Sequence, residues 1–270
     1  MELDVNTRFT LGKRITDAQM AFFTHYGFIH FEGFASPSEV AGLREGIEEV
    51  EEKWIEDRVT KVNGIPIKYG RSENGQPFVQ RYAFTSLYSE AFHRFVNDPR
   101  FAPIKVLIGD DCRVGEQEKD GVVVNHYLNV AGSAYKRLGW HTDGLRDIFY
   151  GRMPGPLLNV GVYLDDSPKE NGGLRLIPGS HKQGLWKMLF GKLHFISHRP
   201  DKREICVEAK AGDLTVHDGR LWHRVARATM EGSPSRRRIM YVPFINGPYE
   251  PKNAESKTPF YHRLQRITRW

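Results

Sequence analysis

What the chain lacks narrows it first. It has two cysteines in 270 residues, Cys112 and Cys206, far apart and with no CxxC pair. That is neither a disulfide framework nor a zinc motif, and it fits a reducing compartment. No run approaches the ~18 consecutive apolar residues that span a bilayer. The opening MELDVNTRFTLGKRITDAQ carries early acidic residues and lacks the apolar centre of a signal peptide. A soluble, cytoplasmic protein with no membrane partner is therefore expected. Low-complexity tracts and internal repeats are absent too. The net charge is +6, with basic clusters at Arg236–Arg238 and at Arg263, Arg266 and Arg269. No nucleic-acid motif accompanies them, so they read as solvated surface and no nucleic-acid partner is expected. Forty per cent of residues are apolar and 12% aromatic, which excludes a disordered chain.

The length suits one domain, residues 1–270. Its first part, 1–110, reads as helix-rich. Thr16-Asp17-Ala18-Gln19 is a capping box, and the helix it opens should stop at Gly27. FIHFEGF (Phe28 to Phe34) alternates like a strand. Ser36-Pro37-Ser38-Glu39 is a second box, opening a long helix to about Asp57. Val40, Leu43, Ile47, Val50 and Trp54 fall on one face of it.

Residues 111–250 change character. Short β-type runs appear at Val122–Val130, Leu157–Leu164, Leu174–Ile177, Leu214–His217 and Arg238–Ile245, separated by Gly-, Asn- and Asp-rich turns. That spacing predicts a mostly β fold with some α: a jelly-roll core flanked by N-terminal helices. Residues 251–270 form a C-terminal extension. The stretch Gln183 to Arg203 is expected as a long loop, either a binding loop or a packed insertion.

Chemistry concentrates at Trp140-His141-Thr142-Asp143-Gly144. In an extended segment, i and i+2 point the same way, so His141 and Asp143 can address one ion. A third ligand must come from elsewhere, and both His217 and His223 follow. Two histidines and a carboxylate leave one face of a metal open, as non-haem Fe(II) oxygenases require. Arg236-Arg237-Arg238 then opens a strand, and a guanidinium fork suits a dicarboxylate.

Several segments, in order, resemble the phytanoyl-CoA hydroxylase-like family of Fe(II)/2-oxoglutarate-dependent dioxygenases. They are TDAQMAFFTHYGFIHFEGF, WHTDG, NVGVYLDDSPKENGGLRLIPGSHKQG, AGDLTVHDGRLWH and RRRIMYVPF. The resemblance implies a double-stranded β-helix holding Fe(II) through His141, Asp143 and His223, with 2-oxoglutarate and O2 as cosubstrates. It favours His223 over His217, which would then be structural or support the ligands. It selects Arg237 for 2-oxoglutarate, with Arg238 on the opposite face and Arg236 as the substitute if the strand slips by one. It also implies that Asn125, Tyr127 and Arg81 lie near the cosubstrate. Where many relatives carry tryptophan this chain has Gly161, which should enlarge the pocket. Asp165, Asp166, Asn171, Gly173, Gly179 and His181 belong to the signature as architecture.

The implied reaction is hydroxylation of an unactivated carbon of a small molecule, releasing succinate and CO2. Asp143 favours it over halogenation, because halogenases of similar fold lack this carboxylate. Desaturation, epimerisation and ring closure share the same oxidant. A jelly-roll metal enzyme without 2-oxoglutarate and a non-catalytic binding protein are the other classes. Arg146, Arg152, Lys187, Lys192 and Arg199 suit an anionic substrate. The aromatics Trp186, Phe190 and Phe195 suit a bulkier natural product. Oligomeric state has no signature in the sequence.

Overall fold

Helix α1 (Asp17–Tyr26) starts and stops where its sequence dictates. Thr16 Oγ1 accepts from the Gln19 amide at 3.2 Å, and the Gln19 side chain accepts from the Thr16 amide at 2.9 Å. Gly27 closes the helix with φ 77°, and a Cβ there would collide with the His181 ring. Helix α2 (Pro37–Glu56) has the second box, Ser36 with Glu39. Its stripe of Val40, Leu43, Ile47, Val50 and Trp54 is buried. Helix α3 is Glu90–Val96. This is a computed structural model that describes residues 4–133, 135–145, 147, 155–259 and 262. Arg146, Arg152, Arg263, Arg266 and Arg269 therefore lie outside the described residues.

The strands of the first part are β1 (Phe28–Phe31), β2 (Lys61–Val62), β3 (Ile65–Pro66), β4 (Lys68–Arg71) and β5 (Pro77–Tyr82). Then follow β6 (Arg113–Val114), β7 (Val123–Tyr127), β8 (Leu138–His141), β9 (Leu157–Tyr163) and β10 (Gly173–Leu176). The last are β11 (Ile205–Cys206), β12 (Leu214–Asp218), β13 (His223–Ala226) and β14 (Arg237–Ile245). The larger sheet runs β1-β12-β9-β14-β7-β5-β4, with β6 on β14, and the smaller runs β11-β10-β13-β8. Strand pairings within both are antiparallel. The fold is the mostly β jelly roll with N-terminal helices that the sequence predicts.

Alternation divides the larger sheet into two working faces. Leu158, Val160 and Val162 of β9 join Met240, Val242 and Phe244 of β14 in one apolar cluster with the α2 stripe. The other face carries Asn159, Gly161 and Tyr163 on β9, Arg237, Ile239 and Tyr241 on β14, and Asn125 and Tyr127 on β7. The register places Arg237 opposite Tyr127, Ile239 opposite Asn125, and Tyr241 opposite Gly161. One sheet thus separates a greasy support from a polar interior.

The helix-rich first part carries strands beyond the expected β1: β4 pairs with β5, and β5 joins the larger sheet through β7. FVQRY shows no clean alternation, but its backbone groups find their ladder partners in β4 and β7. The stretch Gln183 to Arg203 is also more than a loop. It holds helix α4 (Leu185–Phe190) and hydrogen bonds to the backbone of β8. Among the described residues, no helix is long and apolar enough to cross a membrane.

Candidate functional site

His141 ends β8 and Asp143 follows in the turn. His223 opens β13, opposite His141 in register. One atom from each of His141, Asp143 and His223 lies within 4.8 Å of the others. His141 Nδ1 sits 2.8 Å from the Gly139 carbonyl oxygen, and His223 Nδ1 sits 3.0 Å from that of Leu221. A carbonyl only accepts, so both Nδ1 atoms carry the proton. Both Nε2 lone pairs then face the centre, the form in which imidazole binds metal. His217 stays outside this group of three, with Nε2 3.7 Å from Asp143 Oδ2.

The electrostatics agree. Burial pushes the His141 pKa down and the His223 pKa well down, so both rings are neutral at pH 7. Burial alone would raise the Asp143 carboxyl. The neighbouring rings of His223, His217 and His141, which favour the ionised carboxylate over the neutral acid, hold it well below the usual carboxylate range instead. Two neutral imidazoles and one carboxylate are a donor set suited to a borderline divalent ion. The site therefore fits an iron ion on the chemistry of its donors.

The three arginines of the last strand separate cleanly. Arg236 is exposed. Arg238 faces the helices and gives Asp165 two bonds of 2.9 and 3.0 Å. Arg237 is 1% exposed and points into the interior. Its Nη1 donates to the Asn171 carbonyl, while Nε and Nη2 find no partner. Its Cζ lies 4.6 Å from the centroid of the Tyr127 ring, and Tyr127 lines the pocket that holds the three clustered residues. A buried guanidinium with two idle donors is a receptor for an anion.

Residues 23–237 match the family described as phytanoyl-CoA dioxygenase (PhyH). The chain belongs to that family. Phytanoyl-CoA dioxygenase 1 of Oryza sativa subsp. japonica is 23% identical over 250 residues, 78% of this chain and 83% of its own. Dioxygenase af480 of Aspergillus fumigatus is 32% identical over 133 residues, 47% of this chain. The match spans only 36% of that relative's length. HygX from Streptomyces hygroscopicus, solved with nickel, 2-oxoglutarate and hygromycin B, has a TM-score of 0.60 at 18% identity. It covers 87% of this chain and 89% of its own, and the likeness is one of fold.

Other residues of this PhyH chain fall as follows. Asn125 lines the pocket, and its buried Oδ1 has no partner. Tyr127 stacks on Tyr135 at 4.9 Å, with their hydroxyls 3.2 Å apart. Arg81 lines the pocket too, but its guanidinium is held by Asp120 at 2.6 Å. The expected enlargement at Gly161 is not there. A Cβ at Gly161 would sit 3.0 Å from the Tyr241 ring, which fills the space. A glycine facing an aromatic across antiparallel strands shelters its backbone this way. Of the expected surface cations, Lys192 is engaged by Asp201 at 2.7 Å, and Lys187 and Arg199 are exposed. Among the described residues, the cations lining the pocket are Arg81 and Lys119, each facing a carboxylate.

The sequence reading missed Asn159 altogether, and named Phe195 only as an aromatic of a possible binding loop. Asn159 lines the pocket and donates to Asp143 Oδ2 at 3.1 Å. Its place two residues before Gly161, on the same face, was the available signal. Phe195 stacks on His141 at 5.0 Å and 27°, from a backbone with φ 62°. Its amide donates to the Trp140 carbonyl at 2.8 Å, and the Trp140 amide donates to Ser197 at 2.9 Å. The Trp140 indole N–H donates to the Arg199 carbonyl at 2.9 Å. Nothing in the bare sequence pairs this stretch with β8.

Proposed function

We propose that this chain is an Fe(II)- and 2-oxoglutarate-dependent oxygenase that hydroxylates an unactivated carbon of a small molecule. The observation that carries the reading is the convergence of two histidines and one carboxylate in a pocket lined by Tyr127, behind whose ring lies a buried, under-bonded guanidinium. His141, Asp143 and His223 hold the iron. Arg237 grips the far carboxylate of 2-oxoglutarate. Asn125 and Tyr127 line the space between, and Arg81 stands at its edge. Iron with 2-oxoglutarate, when bound, activates O2 and releases succinate and CO2 as the substrate carbon is oxidised. The chain's own work is to orient and to exclude water. The Gly139 and Leu221 carbonyls fix both rings, and Phe195 covers His141. Binding of nickel, 2-oxoglutarate and hygromycin B by HygX supports a small-molecule substrate here.

The test is an anaerobic mixture of protein, Fe(II) and 2-oxoglutarate, read by visible absorption. A weak charge-transfer band is expected in wild type, absent in His141→Ala and His223→Ala. Iron uptake without any band would favour a jelly-roll metal enzyme that uses no 2-oxoglutarate. No metal uptake would leave a binding protein.

A further inference from the structure

His217 is 1% exposed, yet neither ring nitrogen has a hydrogen-bond partner. An unsatisfied buried polar group costs about 1–3 kcal/mol, and an apolar side chain could fill the same place on β12. The antiparallel register sets His217 directly opposite Asn159 of β9. Both face the interior, and both address one atom. Asn159 Nδ2 donates to Asp143 Oδ2 at 3.1 Å, and His217 Nε2 stands 3.7 Å from that oxygen. The His217 ring also lies against His223, with centroids 4.6 Å apart.

Resting on the metal-site reading above, we infer that Asn159 and His217 are positioning residues that clamp the Asp143 carboxylate. An aspartate on a turn swings about its last torsion, which has broad wells. With Asn159 donating to one oxygen and His217 Nε2 poised 3.7 Å from it, the carboxylate keeps one orientation. A carboxylate so engaged fills one coordination position rather than two. The face opposite the ligands then stays open for a chelating cosubstrate and O2. Neighbours that orient metal ligands in this way typically change metal affinity 10–100-fold when removed.

The experiment reads metal binding without turnover. Metal-free wild type, Asn159→Leu, His217→Leu and His217→Gln are titrated with Co(II) alone. Affinity is measured by calorimetry and coordination by the visible Co(II) bands. Both leucine variants should bind about 10–100-fold more weakly with altered band intensity, while their metal-free melting temperatures stay at or above wild type. His217→Gln, which keeps an N–H near the position of Nε2, should recover most of the affinity. A leucine variant that melts far lower reports packing, and Asn159→Val and His217→Phe, which also lack the donor, then carry the comparison. Co(II) affinities within twofold of wild type in both donor-deleted variants overturn the clamp. So does a glutamine variant no better than leucine. Wild type that binds no Co(II) overturns the metal site itself, a different result from binding that ignores the clamp.

Discussion

Replacing Arg237 with leucine separates function from stability in a way few substitutions do. Arg237 is buried, and burial pulls its pKa down although it remains a cation. In the protein without ligand it has one hydrogen bond, to the Asn171 carbonyl, and a contact with the Tyr127 ring. Leucine strands that carbonyl, at about 1 kcal/mol, and loses a cation–π contact of about 1 kcal/mol. Against this it removes a buried charge with no counter-ion, whose desolvation costs several kcal/mol. The ligand-free variant should therefore melt no lower than wild type. With 2-oxoglutarate the balance reverses. Deleting one partner of a buried, hydrogen-bonded charge pair costs about 2–5 kcal/mol. At about 3 kcal/mol, the 2-oxoglutarate KM rises roughly 150-fold. The assay pairs a cosubstrate titration, read by succinate release, with melting curves taken with and without 2-oxoglutarate. The melting shift caused by 2-oxoglutarate should vanish in the variant. Arg237→Lys should fall between, since it keeps the charge and loses the fork. A variant that melts far below wild type yet binds 2-oxoglutarate normally would make Arg237 a structural cation and refute the reasoning.

Three further outcomes are expected. Gly161→Ala places a methyl 3.0 Å from the Tyr241 ring and should cost about 1–2 kcal/mol in urea unfolding; an unchanged midpoint would mean the ring moves freely. Phe195→Ala uncovers His141 and should raise succinate release without substrate several-fold, as water reaches the centre; equal release would remove any shielding role from the ring. His126 has its pKa pushed down to about 3, first by burial and then by the charges of Arg238 and Arg236. The unfolded chain binds that proton near pH 6.5 and the folded chain does not. The resulting stability is full above about pH 6.5 and is lost as pH falls toward 3, by about 2 kcal/mol at pH 5. His126→Phe should therefore lose about 2 kcal/mol less than wild type between pH 7 and pH 5 in urea unfolding. Identical losses would assign the acid sensitivity elsewhere.

Local grammar carried the legible part of the fold. The boxes at Thr16 and Ser36 involve four residues each, so they survive any tertiary context. The α2 stripe and the alternation in LLNVGVY and RRIMYVPFI likewise report faces directly. The neighbours across strands were illegible, because register depends on turns and partners far away in sequence. Gly161 shows the cost. It read as an opening until Tyr241, 80 residues later, proved to be its cross-strand mate. The triplet at His141 and Asp143 needed only a spacing of two. Asn159 and Phe195 reach the same centre from β9 and from the stretch after α4, and no short spacing connects them to it. Among the three arginines, strand phase alone left the choice to a slip of one residue. Burial and pairing tell the three apart in a way strand phase could not: Arg238 has its carboxylate, Arg236 is exposed, and Arg237 is buried without a counter-ion.

Trp140 has a consequence for traffic. It stands one residue before His141, and its amide, carbonyl and indole are all tied to residues 195–199. Anything that enters by prising that stretch away tugs on the strand that bears His141. Entry past Arg81 and Asp120 leaves that strand alone. The choice of door therefore decides whether arrival of a guest is felt at His141 itself, and a bulky guest using the first door would announce itself there before any chemistry began.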